Sequence, residues 1–342
     1  MRVALDAQLT VGTATGIGEY VSGLVPALRR RGVDVIALRE PRLNPWRFDR
    51  RVLWDQLLLP LRVRNANASL LHCAAGTLPW IATLPVVVTV HDVAWLATQR
   101  HARAYARYYF GEFSLRGYAR AARIIVDSHH SRAALLGFLR DFDDRRVAVV
   151  YPGVADEFCR LERRSGDGRT ILAVGTVEPR KNLELLVAAL ARLSGARLVA
   201  VGPTTPYAAR CLAVARRLGV ADRFELRGYV SRDTVLSLYR SCAVVAVPSV
   251  YEGFGYAAAQ ALCAGVPCIA SDRTSLPEIA GDDAQIVPVE DLNGWIAALQ
   301  QALEGGGDAR ASRARAGAVA RFSWESAAAG VEQVYARALE VP

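Results

Sequence analysis

Short runs rich in Val, Ile and Leu recur along the whole chain, most of them bounded by Gly, Pro, Asp or Ser. They fall at Arg2–Ala7, Val33–Leu38, Leu70–Cys73, Val86–His91, Arg123–Asp127 and Val147–Tyr151. A second set follows at Thr170–Gly175, Arg197–Gly202, Phe224–Arg227, Ala243–Pro248 and Val266–Ala270. Helix-period segments separate them. Continuous apolar runs of this length predict parallel strands buried on both faces, hence an α/β chain. The polar stretch Arg160–Arg169 is the best linker candidate. Two doubly wound parallel-sheet domains follow, with ligands expected at the carboxyl ends of the strands. Near the end, residues 331, 334, 335, 338 and 339 form an apolar stripe at helical spacing over Trp324–Leu339, with Ser323 as its N-cap.

Composition narrows the classes. The chain has 342 residues, of which 52% are hydrophobic and 22% charged, so a large core can form and wholesale disorder is excluded. No uncharged apolar run approaches the ~18 residues of a membrane span. Asp6 interrupts the first apolar run, so no secretory leader is expected. Six cysteines without a C-x2-C pair predict reduced thiols in a cytoplasmic chain. The net charge of +9 lies wholly in the first half: residues 1–170 hold 25 Arg against 16 acids, and residues 171–342 hold 17 basic against 17 acidic residues. A basic face there suits nucleic acid, an anionic membrane surface or a phosphorylated substrate.

The densest chemistry lies in Pro248–Pro267. Gly253 and Gly255 permit a tight turn after a strand, and a helix begins near Tyr256 and ends at Gly265. A glycine turn at a helix N-terminus suits a phosphate. A βα turn carrying a solvated Glu252 fits the same residues equally well. Gly175–Asn182 occupies the same topological place after another strand, with Asn182 as a candidate helix cap. Lys181 is the only lysine in the chain. A compact ammonium beside the planar fork of Arg180 favours phosphate over an accidental surface charge.

Other signals are weaker. Asp6 ends the first strand, and Gly12, Gly16 and Gly18 precede a helix near Ile17–Arg31, but the third glycine of a dinucleotide fingerprint is missing. His91-Asp92 stands at a strand's carboxyl end, as a functional pair or as a helix cap. Asp141-x-Asp143-Asp144 matches a D-x-D metal pattern formally, but it lies among Arg140, Arg145 and Arg146 and reads as a solvated loop. His129-His130 lacks spaced partners for zinc. Arg39–Arg64 and Arg100–Arg123 mix arginine with aromatics; each alone reads as a core-facing aromatic stripe with a solvated Arg face, but together with the +9 of the first half they favour a surface-binding role, as of an interfacial helix.

Taken together, GIGEY near the front, TVHD at 89–92, VDSHHSR at 126–132, VGTVEPRKN at 174–182 and PSVYEGFG at 248–255 resemble glycosyltransferase family 4. Within it, the chain is most similar to bacterial mannosyltransferases of polysaccharide assembly. The resemblance implies a GT-B fold: an acceptor-binding domain over 1–162, a nucleotide-sugar domain over 168–322, and a C-terminal helix over 323–342 that packs back on the first domain. The implied catalytic residues are His91, Glu252, Arg180 and Lys181. Glu252 contacts the donor sugar, His91 sits beside it, and Arg180 and Lys181 neutralise the diphosphate. Gly16, Gly18, Thr176 and Val230 join them on the donor side, as do Gly253, Phe254, Gly255, Tyr256 and Gln260. Asp92 and Trp95 fall on the acceptor side. No cofactor and no metal are expected, and the partners are a nucleotide sugar and a glycan or lipid-linked acceptor.

The implied function is transfer of a hexosyl group, mannosyl from GDP-mannose by preference, with retention of configuration. A dTDP- or UDP-sugar donor is the alternative. The implied location is cytoplasmic, with attachment to the inner leaflet through the basic first half. Two residues depart from the family. Gln260 stands where an acid normally contacts ribose, and Thr176 stands where Arg is frequent. Two readings from other classes compete: an NAD-dependent oxidoreductase, which needs the missing glycine fingerprint, and a non-catalytic binder of sugar nucleotide or nucleic acid.

Overall fold

The computed structural model describes residues 1–12, 16–94, 105, 108–139, 142–163, 168–305 and 307–340. The chain forms two compact units, Met1–Gly153 together with the segment from Ser323 onward, and Val154–Phe322. Trp95, Asp141 and, within the Arg100–Arg123 stretch, residues 100–104 and 106–107 lie outside the described residues.

The first unit carries β1 (Arg2–Asp6), β2 (Asp34–Leu38), β3 (Leu70–Cys73), β4 (Val86–Val90), β5 (Arg123–Val126) and β6 (Val147–Val149). They pair in the order β2-β1-β3-β4-β5-β6, every pairing parallel. β4 is Val86–Val90, VVVTV, and all five residues are buried, as expected of a strand covered on both faces. The helices Gly16–Arg30 and Trp324–Leu339 pack together over this sheet and share one core, in which Tyr20, Leu24 and Leu28 meet Val331, Val334 and Tyr335. Their approach is close enough to require a glycine: a Cβ on Gly23 would stand 2.0 Å from the Trp324 ring. Ser323 caps the second helix by accepting from the Ser326 amide at 3.1 Å. Leu339, expected on the buried stripe, is exposed, because the helix ends there.

The second unit carries β7 (Thr170–Val174), β8 (Arg197–Val201), β9 (Phe224–Leu226), β10 (Val244–Val247), β11 (Cys268–Ser271) and β12 (Gln285–Val287) in the order β12-β11-β10-β7-β8-β9, again all parallel. β12 was not among the expected strands. It is three residues long at a sheet edge and closed by Pro288, too short for its periodicity to register.

The boundary differs from the expected linker. Residues before the polar stretch already belong to the second unit: Phe158 is fully buried edge-on against Tyr239, and Arg315 donates to the Cys159 carbonyl at 2.7 Å. The polar stretch itself contributes a buried Leu161, and Arg163 donates to the Cys242 carbonyl at 3.2 Å. The cysteines are free, and five of the six are buried.

Candidate functional site

A parallel doubly wound sheet opens a crevice where its strand order reverses, at the carboxyl ends of the two strands involved. In the second unit those strands are β7 and β10. The loop after β7 carries Gly175–Asn182, and the loop after β10 carries Pro248–Gly255, so topology brings the two densest segments to one place. The Val250 amide donates to the Arg180 carbonyl at 2.8 Å and joins the loops directly.

Glu252 is the hub. It is only 6% exposed, so it is not the solvated turn acid that one sequence reading allowed. The Lys181 ammonium reaches its Oε1 at 2.5 Å, and Arg180 Nη1 reaches its Oε2 at 3.2 Å. The Ser249 hydroxyl donates to Oε1 at 2.7 Å. Burial works against the charge of Glu252, but Lys181 first and Arg180 second outweigh it and hold the carboxyl below its ordinary value. Arg180 also pairs with Glu178 at 2.7 Å. Four charges thus cancel within one cluster, and the two cations remain partly exposed.

The loop backbone is fixed by residues that sequence reasoning passed over. Thr274, in a left-handed conformation at φ 53°, accepts from the Glu252 amide at 2.9 Å. Ser275 donates to the carbonyls of Glu252 and Phe254 at 3.1 and 2.9 Å. No periodicity flags either residue. Gly255 precedes the helix Tyr256–Cys263 at φ 98°, and a Cβ there would stand 2.8 Å from Leu276 Cδ2. The first amides of a helix have no intrahelical acceptor, so this end offers donors to an anion. Gln260 is buried one turn inside, and its Oε1 accepts from the Tyr239 hydroxyl at 3.1 Å. Asn182, expected to cap with its side chain, instead sits in the left-handed region at φ 51° and makes no capping bond. The turn Pro179–Lys181 before it is a 3-10 turn that ends there. Thr176 and Lys181 line a narrow pocket with Gly175 and Ser249. Val230 lies between β9 and the helix Arg232–Ser241 and is half-buried.

The first unit reverses strand order between β1 and β3. There the Arg51 guanidinium, 4% exposed, bridges Asp6 Oδ2 at 3.0 Å and Asp55 Oδ2 at 3.0 Å, and donates to Thr77 at 2.6 Å. The Trp54 indole donates to Asp6 at 2.8 Å, and Tyr109 donates to Asp55 at 2.8 Å. Burial outweighs Arg51 and pushes the Asp55 carboxyl up to about 6.

His91, just after β4, bonds through both ring nitrogens: Nδ1 to Asp127 at 2.7 Å and Nε2 to the Ala74 carbonyl at 2.9 Å. A carbonyl only accepts, so Nε2 carries a hydrogen, and the second hydrogen lies between Nδ1 and the Asp127 carboxylate. Burial disfavours the charged ring, but Asp127 outweighs it and raises the histidine above its usual value. Tyr20 packs edge-on against His91 at 4.9 Å. Asp92 accepts from the Ala94 amide at 3.0 Å and serves as a local cap. Gly16 and Gly18 open the helix Gly16–Arg30. Among the described residues no group of three His, Cys, Asp or Glu is placed to hold a metal, and no helix is long and apolar enough to cross a membrane.

Two family models match the chain. "Glycosyltransferase Family 4" covers residues 14–158, and "Glycosyl transferases group 1" covers residues 168–305. A D-inositol 3-phosphate glycosyltransferase of Mycobacteroides abscessus is 31% identical over 294 residues, 78% of this chain and 64% of that protein. The protein of the same description from Mycolicibacterium smegmatis is 31% identical over 64% of this chain and 54% of its own length. The chain thus spans less than two thirds of either relative. Among solved structures, a sucrose-phosphate synthase from Thermosynechococcus elongatus superposes with a TM-score of 0.77 at 22% identity, covering 98% of both chains. Anabaena Alr3699/HepE in complex with UDP-glucose gives 0.76 at 17% identity, covering 98% of this chain and 99% of that one. These likenesses carry the fold.

Proposed function

The chain belongs to glycosyltransferase family 4 and has its GT-B architecture, and from that premise we propose that it transfers a glycosyl group from a nucleotide sugar to an acceptor hydroxyl with retention of configuration. The observation that carries this reading is the clamp of Lys181 and Arg180 on the buried Glu252 at the β7/β10 crevice. A donor diphosphate draws both cations from Glu252. The carboxylate, held ionised, then accepts from sugar hydroxyls, while the cations stabilise the charge that grows on the departing diphosphate. Front-face attack, with a leaving phosphate oxygen taking the acceptor proton, requires no second carboxylate. Two fixed positive charges do the work for which a divalent ion would otherwise serve, so chelation by EDTA leaves turnover unchanged.

GDP-mannose is the preferred donor on the motif resemblance, with UDP- and dTDP-sugars as alternatives. The acceptor is a glycan or a lipid-linked sugar. A phosphorylated polyol is a second reading, supported by the relatives described as D-inositol 3-phosphate glycosyltransferases and by the basic first unit. Attachment at an anionic inner leaflet is supported by Leu53, Leu57 and Leu61, which are 42%, 52% and 48% exposed at four-residue spacing along a continuous helical segment.

The test is a panel of GDP-mannose, UDP-glucose and a dTDP-hexose, read by thermal shift and by release of nucleoside diphosphate. One donor stabilises the protein and is consumed, and the product anomer matches the donor. Stabilisation by NAD alone, with no donor consumed, overturns the reading.

A further inference from the structure

The carboxyl ends of the first sheet carry His91 and Asp127; its amino ends carry something that transferase chemistry does not use. Beneath β4, β5 and β6 lies an open cavity of about 1010 Å³. Its cations come from separate elements: Arg123 begins β5, Arg146 immediately precedes β6, and Arg120 follows the helix Ser114–Tyr118. Arg145 is matched, since Asp143 accepts from its Nε at 2.9 Å and from its Nη2 at 3.2 Å. Arg337 lies in the last turn of its helix, where the helix dipole accounts for a cation.

Arg120, Arg123 and Arg146 have no carboxylate within ion-pair reach among the described residues. Their partners are neutral. Arg120 Nη2 donates to the Trp80 carbonyl at 2.6 Å, Arg123 Nη1 donates to the Ala122 carbonyl at 2.8 Å, and Arg146 Nη2 donates to the Ala121 carbonyl. Carbonyls satisfy hydrogens without cancelling charge: Asp143, already paired with Arg145, adds only a lesser attraction on Arg146, and the lining, with Arg120, Arg123, Arg145, Arg146 and Arg337 against Asp143 and Glu340, keeps an excess of positive charge. Arg123 Nε is buried and has no hydrogen-bond partner among the described residues. Burial, and then the proximity of Arg123, hold Arg146 below its ordinary value, so the two cations oppose each other.

We propose that this cavity, at the amino ends of β4–β6, is a binding site for a phosphate-bearing anion, held by Arg120, Arg123 and Arg146. A phosphate group supplies what the site lacks: negative charge spread over several acceptor oxygens, in a geometry that guanidinium forks match. The site stands apart from the donor reading, which concerns the other unit, and either can fail alone.

The structure supplies a local reporter. The Arg120 guanidinium lies 4.6 Å from the centre of the Trp80 ring, so an anion that draws Arg120 away changes Trp80 emission. Inorganic pyrophosphate is titrated into the full chain carrying Lys181→Ala, which disables the donor clamp, and Trp80→Phe in the same background identifies the Trp80 signal. A saturable change is expected, weakened at least ~10-fold in Arg123→Gln/Arg146→Gln, by analogy with the loss of charge-assisted bonds. Arg120→Gln, at an exposed position, provides a second variant should the pair unfold. Absence of a Trp80 response to pyrophosphate, or equal affinity in the variants, overturns the site. Vesicles of phosphatidylcholine with and without phosphatidylglycerol identify the source. A Trp80 response confined to the anionic vesicles assigns a lipid headgroup, and a response to pyrophosphate alone assigns a soluble phosphate.

Discussion

Both sheets place an arginine–carboxylate cluster where their strand order reverses, yet the two clusters have opposite character. In the second unit, Arg180 and Lys181 keep part of their surface in solvent while they hold Glu252. In the first, Arg51 and both of its carboxylates are sealed, with side-chain exposures of 4% and 0%. An exposed cation can exchange a carboxylate for a ligand phosphate at little desolvation cost. A sealed guanidinium cannot. On the proposed reading the same topological position therefore serves as a ligand site in one unit, while in the other it is a plug that ties β1, the helix after β2 and the loop after β3.

The sharpest test of that contrast is stability. Removing one member of a buried ionic group leaves uncompensated charge and costs about 3–5 kcal/mol, so Arg51→Ala should lower the melting temperature far more than Lys181→Ala. Equal melting temperatures would break the comparison. The pH dependence gives a second handle. Asp55, raised to about 6, contributes stability that is complete below its unfolded value of about 4 and is lost as pH rises through about 6. Asp55→Asn should flatten melting temperature against pH across that window.

Turnover should respond in the reverse order. Loss of one preorganised charge typically costs ~10²-fold, so Lys181→Ala should lower kcat at least that much while the fold persists. Lys181→Arg should restore only part, because a planar fork does not replace a compact ammonium. Initial rates at saturating donor measure both. Normal turnover in Lys181→Ala would remove the clamp from the mechanism.

The sequence announced these two regions unequally. Eleven of the twelve strands among the described residues and the Glu252–Lys181 cluster were legible, because buried parallel strands are continuous apolar runs and each half of the cluster lies in one short glycine-bearing loop. Asp6, Arg51 and Asp55 were not singled out as a cluster. Arg51 meets Asp6 across 45 residues, and a buried arginine reads like any other in an arginine-rich chain. Asp127 was missed as the partner of His91 for the same reason, with 36 residues between them. The expected linker misled because a polar run marks a surface whether or not it joins domains.

Asp127→Ala probes that missed pair. It leaves His91 Nδ1 without its acceptor, at a cost of about 1–3 kcal/mol, and the His91 pKa, raised by Asp127, should fall in an NMR titration. The sign follows from linkage. The stability that the pair supplies is complete below the unfolded histidine value of about 6.5 and fades as pH rises through the higher folded value. The variant should lose most at the acid end of that window. An unmoved His91 titration would show that burial alone sets the ring's charge.

The smallest expected effect concerns Gln260, the departure from the family pattern in the open cluster. Its Oε1 already accepts from the Tyr239 hydroxyl at 3.1 Å, and the side chain is buried. Gln260→Glu keeps that acceptor and adds a second, charged one. Hydrogen bonds to a charged group contribute about 1.5–3 kcal/mol, against about 0.5–1.5 for neutral ones, but burial of the new charge offsets part of the difference. A gain of several-fold in nucleotide affinity is the reasonable size. It should appear for GDP and UDP, whose ribose offers two hydroxyls, and hardly at all for dTDP, whose sugar ring offers fewer. Calorimetric titration of the three diphosphates into both proteins measures it. Tighter GDP and UDP binding with dTDP unmoved places residue 260 at the ribose. Three unmoved affinities would assign Gln260 to Tyr239 alone, as a packing partner at the foot of the helix.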